Sequence, residues 1–227
     1  MALNFKIEND LRRPLVLRGL TKRYGQGAPV IEKLNWTFAP GTATGLVGPN
    51  GSGKTTLLRL LAALAYPTEG QIAYGDLDVH AHPHQFLQHV GLVYAEAGLP
   101  QHLSAVELLE WILRERRPFD DDASARIAAA LDHVRLDERR HNLIGTYSSG
   151  MIQKTQLAAA LIHEPAVLLM DEPFRGLDTE STAAVMTLLQ DFKTVGGLLI
   201  ISSHARTLLD TLCDDFIDLH PVAGRVK

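Results

Sequence analysis

The stretch GPNGSGKTT, residues 48–56, decides how this chain is read. Gly48, Gly51 and Gly53 allow a tight turn whose N–H groups point inward. Pro49, Asn50 and Ser52 complete the loop between them. Lys54 supplies a mobile positive charge, Thr55 offers a hydroxyl to Mg²⁺, and Thr56 continues into the next element. Just upstream, ATGLVG (residues 43–48) reads as a strand. Downstream, TTLLRLLAALA has helical periodicity with no breaker before Pro67. A glycine loop between a strand and a helix is the setting a phosphate grip requires, because the helix N-terminus adds its positive dipole end.

Hydrolysis needs a second half, and AVLLMDEP (residues 166–173) has its form. It is an apolar strand ending in two carboxylates. Asp171 stands where a carboxylate reaches Mg²⁺, mainly through water. Glu172 follows directly and is the candidate base for an attacking water. Together the two segments predict nucleotide binding and hydrolysis assisted by Mg²⁺.

The bulk numbers fit one folded unit. The chain has 227 residues, 46% of them hydrophobic, enough for a sizeable core. The net charge of -4 argues against broad nucleic-acid binding. A single cysteine, Cys213, excludes an internal disulfide and suits a reducing compartment. MALNFKIENDLRR lacks the apolar centre of a signal peptide. No apolar run approaches the ~18 to 20 residues that span a bilayer, so any membrane connection is expected to run through a partner.

Strand and helix alternate along the chain. PLVLRGL and VIEKLNWTF read as strands, as do VGLVY, AVLLMD and GLLIISS. IQKTQLAAALIH and STAAVMTLLQDF read as helices. This pattern predicts a parallel sheet covered by helices. SAVELLEWILRER opens with Ser104 and has Glu107 three residues on, a capping box, and DDASARIAAALDHV predicts a second helix. The density of helix signals from about residue 97 to about 147 predicts a helical insert.

Further segments carry a family resemblance. YSSGMIQK (residues 147–154) resembles the signature motif of ATP-binding cassette (ABC) proteins and precedes the MDEP strand by a short helix. FRGLD (residues 174–178) resembles the loop that follows it there, IISSH (residues 200–204) the strand ending in the switch histidine, and KRYG (residues 22–25) the loop that stacks adenine. The resemblance covers most of the chain, in the family's order. It implies an α/β fold: a P-loop NTPase of ABC type, with a RecA-like parallel sheet core, an antiparallel β subdomain and a helical insert. The whole chain would be one nucleotide-binding domain, its core at about residues 1–96 and 148–227 and its helical subdomain at about 97–147.

The resemblance also implies roles. Tyr24 would stack on adenine, and His204 would contact the γ-phosphate and orient the attacking water. Ser148, Ser149, Gly150 and Met151 would face the ATP of a partner cassette, since two such domains sit head to tail. Asp178 would cross to that partner; a helix N-cap is its other reading, and the two are compatible. Ser149 and Met151 depart from the commoner glycine and glutamine.

The resemblance implies a glutamine after VGLVY; none stands there, and its slot falls on Ala95 or Glu96. Glu96 is the tentative substitute as a Mg²⁺ ligand, although a carboxylate lacks the amide's donor. The resemblance implies a groove here for a permease segment, and residues 97–111 are apolar enough to line it; helix packing is the equal alternative for them. Arg175 stands where the family more often has a small or polar residue; it reads as a surface arginine, the alternative being a pair with an acidic residue across the dimer. Cys213 reads as a half-buried helix position.

The expectation is a cytoplasmic ATPase subunit of an ABC transporter, peripheral on the inner face of the cell membrane. It would work beneath separate transmembrane permease subunits, as a homodimer or heterodimer of cassettes, without nucleic acid and without entering the membrane. Compact size and the Ser-Ser-Gly-Met form lean toward an exporter. The alternative is a soluble ABC ATPase not linked to transport. It is disfavoured because the chain shows neither long coiled-coil insertions nor two cassettes.

Overall fold

The computed structural model describes residues 7–94, 98–116, 122–204 and 206–220. The strands in chain order are β1 (Leu15–Lys22), β2 (Ile31–Phe38), β3 (Ala43–Val47), β4 (Glu69–Tyr74), β5 (Leu77–Asp78), β6 (Val90–Val93), β7 (Val167–Asp171), β8 (Leu198–Ser202) and β9 (Asp215–Asp218). The helices are α1 (Lys54–Leu61), α2 (Pro83–Leu87), α3 (Ala105–Arg116), α4 (Ala123–His133), α5 (Ser149–Leu161), α6 (Thr179–Thr194) and α7 (Arg206–Leu212).

They build two sheets. One is parallel, in the order β6-β7-β8-β3-β9. The other is antiparallel, in the order β2-β1-β4-β5. Every residue of β7 and of β8 is buried. That burial explains their unbroken apolar sequences, since inner strands of a parallel sheet are covered on both faces. The strand order leaves the C-terminal ends of β3, β7 and β8 side by side, the place where open α/β sheets bind ligands.

The antiparallel sheet confirms the expected β subdomain and takes in both early strands. Between β6 and α5 lie α3 and α4, with α3 packed on both α4 and α5. The capping box forms as read. Ser104 donates to Glu107 Oε2 from its backbone N at 2.7 Å and its hydroxyl at 2.8 Å, and Glu107 N donates back to Ser104 Oγ at 3.3 Å. These bonds stabilise the ionised carboxylate and hold the Glu107 pKa below its ordinary value.

Two local readings need correction. The periodicity after Lys54 continues to Ala65, but α1 ends at Leu61. Ala63 turns left-handed there, with φ of 54°. Cys213 lies one residue past the end of α7, not on it. Burial pushes its thiol up to about 12.

Candidate functional site

The loop from β3 to α1 wraps one end of a cavity of about 340 Å³. Residues 50–56 line it together with Asp171, Glu172, Arg175 and His204. Three distant segments therefore meet here: the glycine loop, the end of β7 with the turn after it, and the end of β8. Backbone geometry explains the glycines. Gly48 has φ of 141°, and a Cβ there would stand 2.1 Å from the Leu219 carbonyl oxygen. Gly53 caps α1 in the left-handed region, and no side chain caps the helix. The first-turn N–H groups of α1 are thus left without a side-chain acceptor at the cavity.

The Lys54 ammonium is held in place by the Gly48 carbonyl at 2.7 Å and the Pro49 carbonyl at 3.1 Å. The Ser52 hydroxyl is buried and has no hydrogen-bond partner among the described residues. A buried polar atom without a partner is costly, and an anion in the loop would satisfy it.

Asp171 is buried, and its two oxygens are divided between two hydroxyls. Thr55 Oγ1 donates to Oδ2 at 3.0 Å, and Ser202 Oγ donates to Oδ1. Ser202 sits directly opposite Asp171 in the β7–β8 register, so the sheet itself sets this contact. The carboxylate is thereby aimed at Thr55. A carboxylate and a hydroxyl side by side form a hard-oxygen set of the kind Mg²⁺ prefers.

Glu172 begins the turn after β7 with φ of 51°, a strained conformation for a residue with a side chain. Its backbone N donates to the Ser202 carbonyl at 3.0 Å. One carboxylate oxygen, Oε2, accepts from His204 N at 3.2 Å and Ser203 Oγ at 3.3 Å. The other, Oε1, is buried without a hydrogen bond among the described residues. His204 Nε2 stands 3.6 Å from it, beyond hydrogen-bond reach. One oxygen of Glu172 therefore anchors the side chain while the other remains open as an acceptor.

The remaining predicted residues lie elsewhere. Tyr24 is about half exposed, outside this cavity, with Lys22 Nζ 4.9 Å from its ring centroid. Ser148, Ser149, Gly150 and Met151 open α5 at the surface, where Met151 N donates to Ser148 Oγ at 3.3 Å. A Cβ on Gly150 would stand 2.6 Å from the Gly176 carbonyl oxygen, so α5 starts hard against the turn that follows Glu172. Asp178 caps α6, accepting from Ser181 N at 2.7 Å, and that bond holds its pKa below the ordinary value. Glu96 and Ala95 lie outside the described residues.

Sequence reasoning passed over two contributors. Ser202 and Ser203 were quoted within IISSH without a role. Their signal was two hydroxyls ending an otherwise apolar strand, next to a strand that ends in two carboxylates. The structure also gives Arg175 a place in the cavity wall.

The ABC transporter family profile matches residues 31–175. The chain belongs to this family. The ABC transporter ATP-binding protein NatA of Bacillus subtilis (strain 168) is 32% identical over 191 residues, 84% of this chain and 78% of its own. The bacitracin transport ATP-binding protein BcrA of Enterococcus faecalis is 31% identical over 215 residues, 94% of this chain. A Nod factor export ATP-binding protein I of Burkholderia orbicola (strain AU 1054) is 32% identical over 201 residues, 88% of this chain. The chain spans 66% of each of these last two proteins.

The fold agrees. A solved ATP-binding subunit of an ABC transporter superposes with a TM-score of 0.85 at 24% identity, covering 93% of this chain and 89% of that one. A cassette solved as a dimer with ADP and phosphate superposes at 0.84 with 22% identity, covering 93% and 97%. The chain is an ATP-binding cassette, the ATP-hydrolysing part of such a transporter.

Proposed function

We propose that this cassette hydrolyses MgATP at the cavity between α1, β7 and β8 and thereby drives export through separate permease subunits. One observation carries the reading. Lys54, Thr55, Asp171, Glu172 and His204, scattered over 151 positions of sequence, come together on one cavity beneath an uncapped helix N-terminus.

The roles follow from position. Lys54 and the loop N–H groups hold the β- and γ-phosphates. Thr55 Oγ1, with Asp171 acting mainly through water, would hold Mg²⁺, which supplies Lewis-acid stabilisation of the phosphate charge. The open Oε1 of Glu172 accepts the proton of the attacking water, while its anchored Oε2 keeps the side chain aimed. His204 bounds the terminal-phosphate end of the cavity and orients that water. Tyr24 stacks on adenine from the loop after β1.

The N-terminus of α5 faces outward, and this supports a second cassette, a copy of this chain or a relative, whose ATP closes against Ser148, Ser149, Gly150 and Met151. Asp178 reaches the same interface while capping α6. The division into a nucleotide-binding core and a helical subdomain then separates catalysis from coupling.

A second cavity of about 360 Å³ supports permease docking. It is lined by apolar side chains that include Leu64, Leu92, Trp111 and Ile112. Leu64 is 58% and Trp111 56% exposed, large apolar surface that a bound segment would cover. Of the stretch 97–111 read as groove-lining, Trp111 reaches this cavity. No helix among the described residues is long and apolar enough to cross a membrane. That suits a peripheral location on the cytoplasmic face, held by the permease. The relatives named for Nod factor export support the outward direction.

The test is Glu172→Gln in the purified chain. ATP binding should persist while hydrolysis falls by ~10²-fold or more, the usual worth of a positioned general base. Unchanged hydrolysis would remove Glu172 from the mechanism. For the transport reading, gentle solubilisation of native membranes should bring down a multi-span protein with the tagged chain.

A further inference from the structure

Arg175 is the charged group on the cavity that the hydrolytic roles above leave without a task. It follows Glu172 in a tight turn closed by Arg175 N donating to the Glu172 carbonyl at 3.1 Å. The buried Phe174 pins that turn beneath it. The turn's position is therefore fixed by the same segment that aims Glu172. Arg175 lines the phosphate-loop cavity and also an adjoining one shared with Glu172, Phe174, Ser203 and His204. Among the described residues its guanidinium makes no ion pair or hydrogen bond, although two carboxylates line the same cavity.

Charge distribution gives the guanidinium its partner. Lys54 is drawn down onto the loop carbonyls of Gly48 and Pro49, so its charge sits at the floor. At the Glu172–His204 end the wall carries, among the described residues, a carboxylate, the His204 imidazole and the exposed guanidinium of Arg175. The terminal phosphate of a nucleotide seated on the loop brings concentrated negative charge to that end. A planar five-donor fork matches phosphate oxygens in pairs, which an ammonium does not.

We infer that Arg175 is a terminal-phosphate contact of its own chain, distinguishing a nucleoside triphosphate from a diphosphate at this site. The inference rests on the nucleotide reading of the cavity. Arg175 touches the γ-phosphate from the side opposite Lys54. ADP leaves it unpartnered at the surface.

The experiment compares Glu172→Gln with Glu172→Gln/Arg175→Ala and Glu172→Gln/Arg175→Lys. Affinities for ATP and ADP are measured at protein concentrations where sedimentation finds a monomer. The alanine variant should lose about tenfold in ATP affinity, the scale of one charge-assisted contact, with ADP affinity unchanged. The lysine variant should fall between, because it restores charge without the fork. Equal ATP affinity in all three overturns the inference, as does an equal loss for ATP and ADP. Intact monomer affinity with lost ATP-driven pairing also overturns it, by assigning Arg175 to a second chain. A fold failure is recognised separately, from the melting temperature of the exposed-site variants. Absent hydrolysis in the parent chain would instead reject the ATPase reading, a result independent of Arg175.

Discussion

Two helices of this chain begin with a small polar sequence at a glycine, and they begin differently. At α1 the opening is roofed by residues from two other strands, and Gly53 provides no side-chain cap. Lys54 there is 8% exposed. At α5 the opening faces solvent, and the Ser148 hydroxyl caps it from within. The first mouth is lined by its own chain, with two carboxylates and the Lys54 ammonium on its wall. The second has a helix dipole and small side chains, but no base or metal-binding carboxylate among the residues that open it. The difference supports the proposal that catalysis belongs to α1 and that α5 completes a site on another molecule.

Breaking the first mouth should have the largest effect. Lys54→Ala should abolish measurable ATP binding and hydrolysis, whereas Glu172→Gln should separate them. Parallel titration and turnover assays of the two variants check this contrast. Gly48→Ala should follow. Its Cβ meets the Leu219 carbonyl, and its φ suits glycine alone, so ~2 kcal/mol or more of stability should be lost in chemical unfolding. A fully stable variant would mean that the loop can relax, against the rigid mouth described here.

The sequence showed the first mouth more fully than the second. Phosphate chemistry demands particular residues at fixed spacing, so GPNGSGKTT and MDEP could be read directly. What holds Asp171 and Glu172 in aim could not. Ser202 meets Asp171 through the β7–β8 register, a relation between segments 31 positions apart. Two of the strands that escaped sequence reading, β4 and β9, share a cause in exposed polar positions. β9 is DFID, with its two aspartates exposed, and at the sheet edge it needs no apolar run. β4 opens EGQ, exposed at all three positions. The motif resemblance points Tyr24 at adenine, a role that its geometry alone does not mark, since the side chain is about half exposed outside the cavity with Lys22 Nζ 4.9 Å from its ring centroid.

Smaller effects sharpen the contrast. Ser148→Ala removes the α5 cap and should cost about 1 kcal/mol in urea unfolding. Its effect on ATP affinity of the monomer should be negligible, since α5 lies outside the first mouth. Cys213 offers a quieter probe of β3, the strand that feeds the phosphate loop. A Cβ on Gly45 would stand 3.3 Å from its sulfur. With the thiol pushed up to about 12, the thiolate is nearly absent at pH 8. Alkylation of the native chain at that pH should therefore be much slower than that of the unfolded chain. Equal rates would show that β3 opens readily.

The most direct test places an anion in the second mouth. Ser149→Glu puts a carboxylate in the first turn of α5, where the helix dipole favours it, so the fold should hold. The same charge would repel the terminal phosphate of a partner's ATP. Measured in the assembly where the parent chain turns over ATP, the variant should keep monomer ATP affinity within about twofold and lose hydrolysis by ~10-fold or more, on the scale of one lost charge-assisted contact reversed into repulsion. Hydrolysis at the parent rate would contradict the account, because it would mean that α5 closes no site.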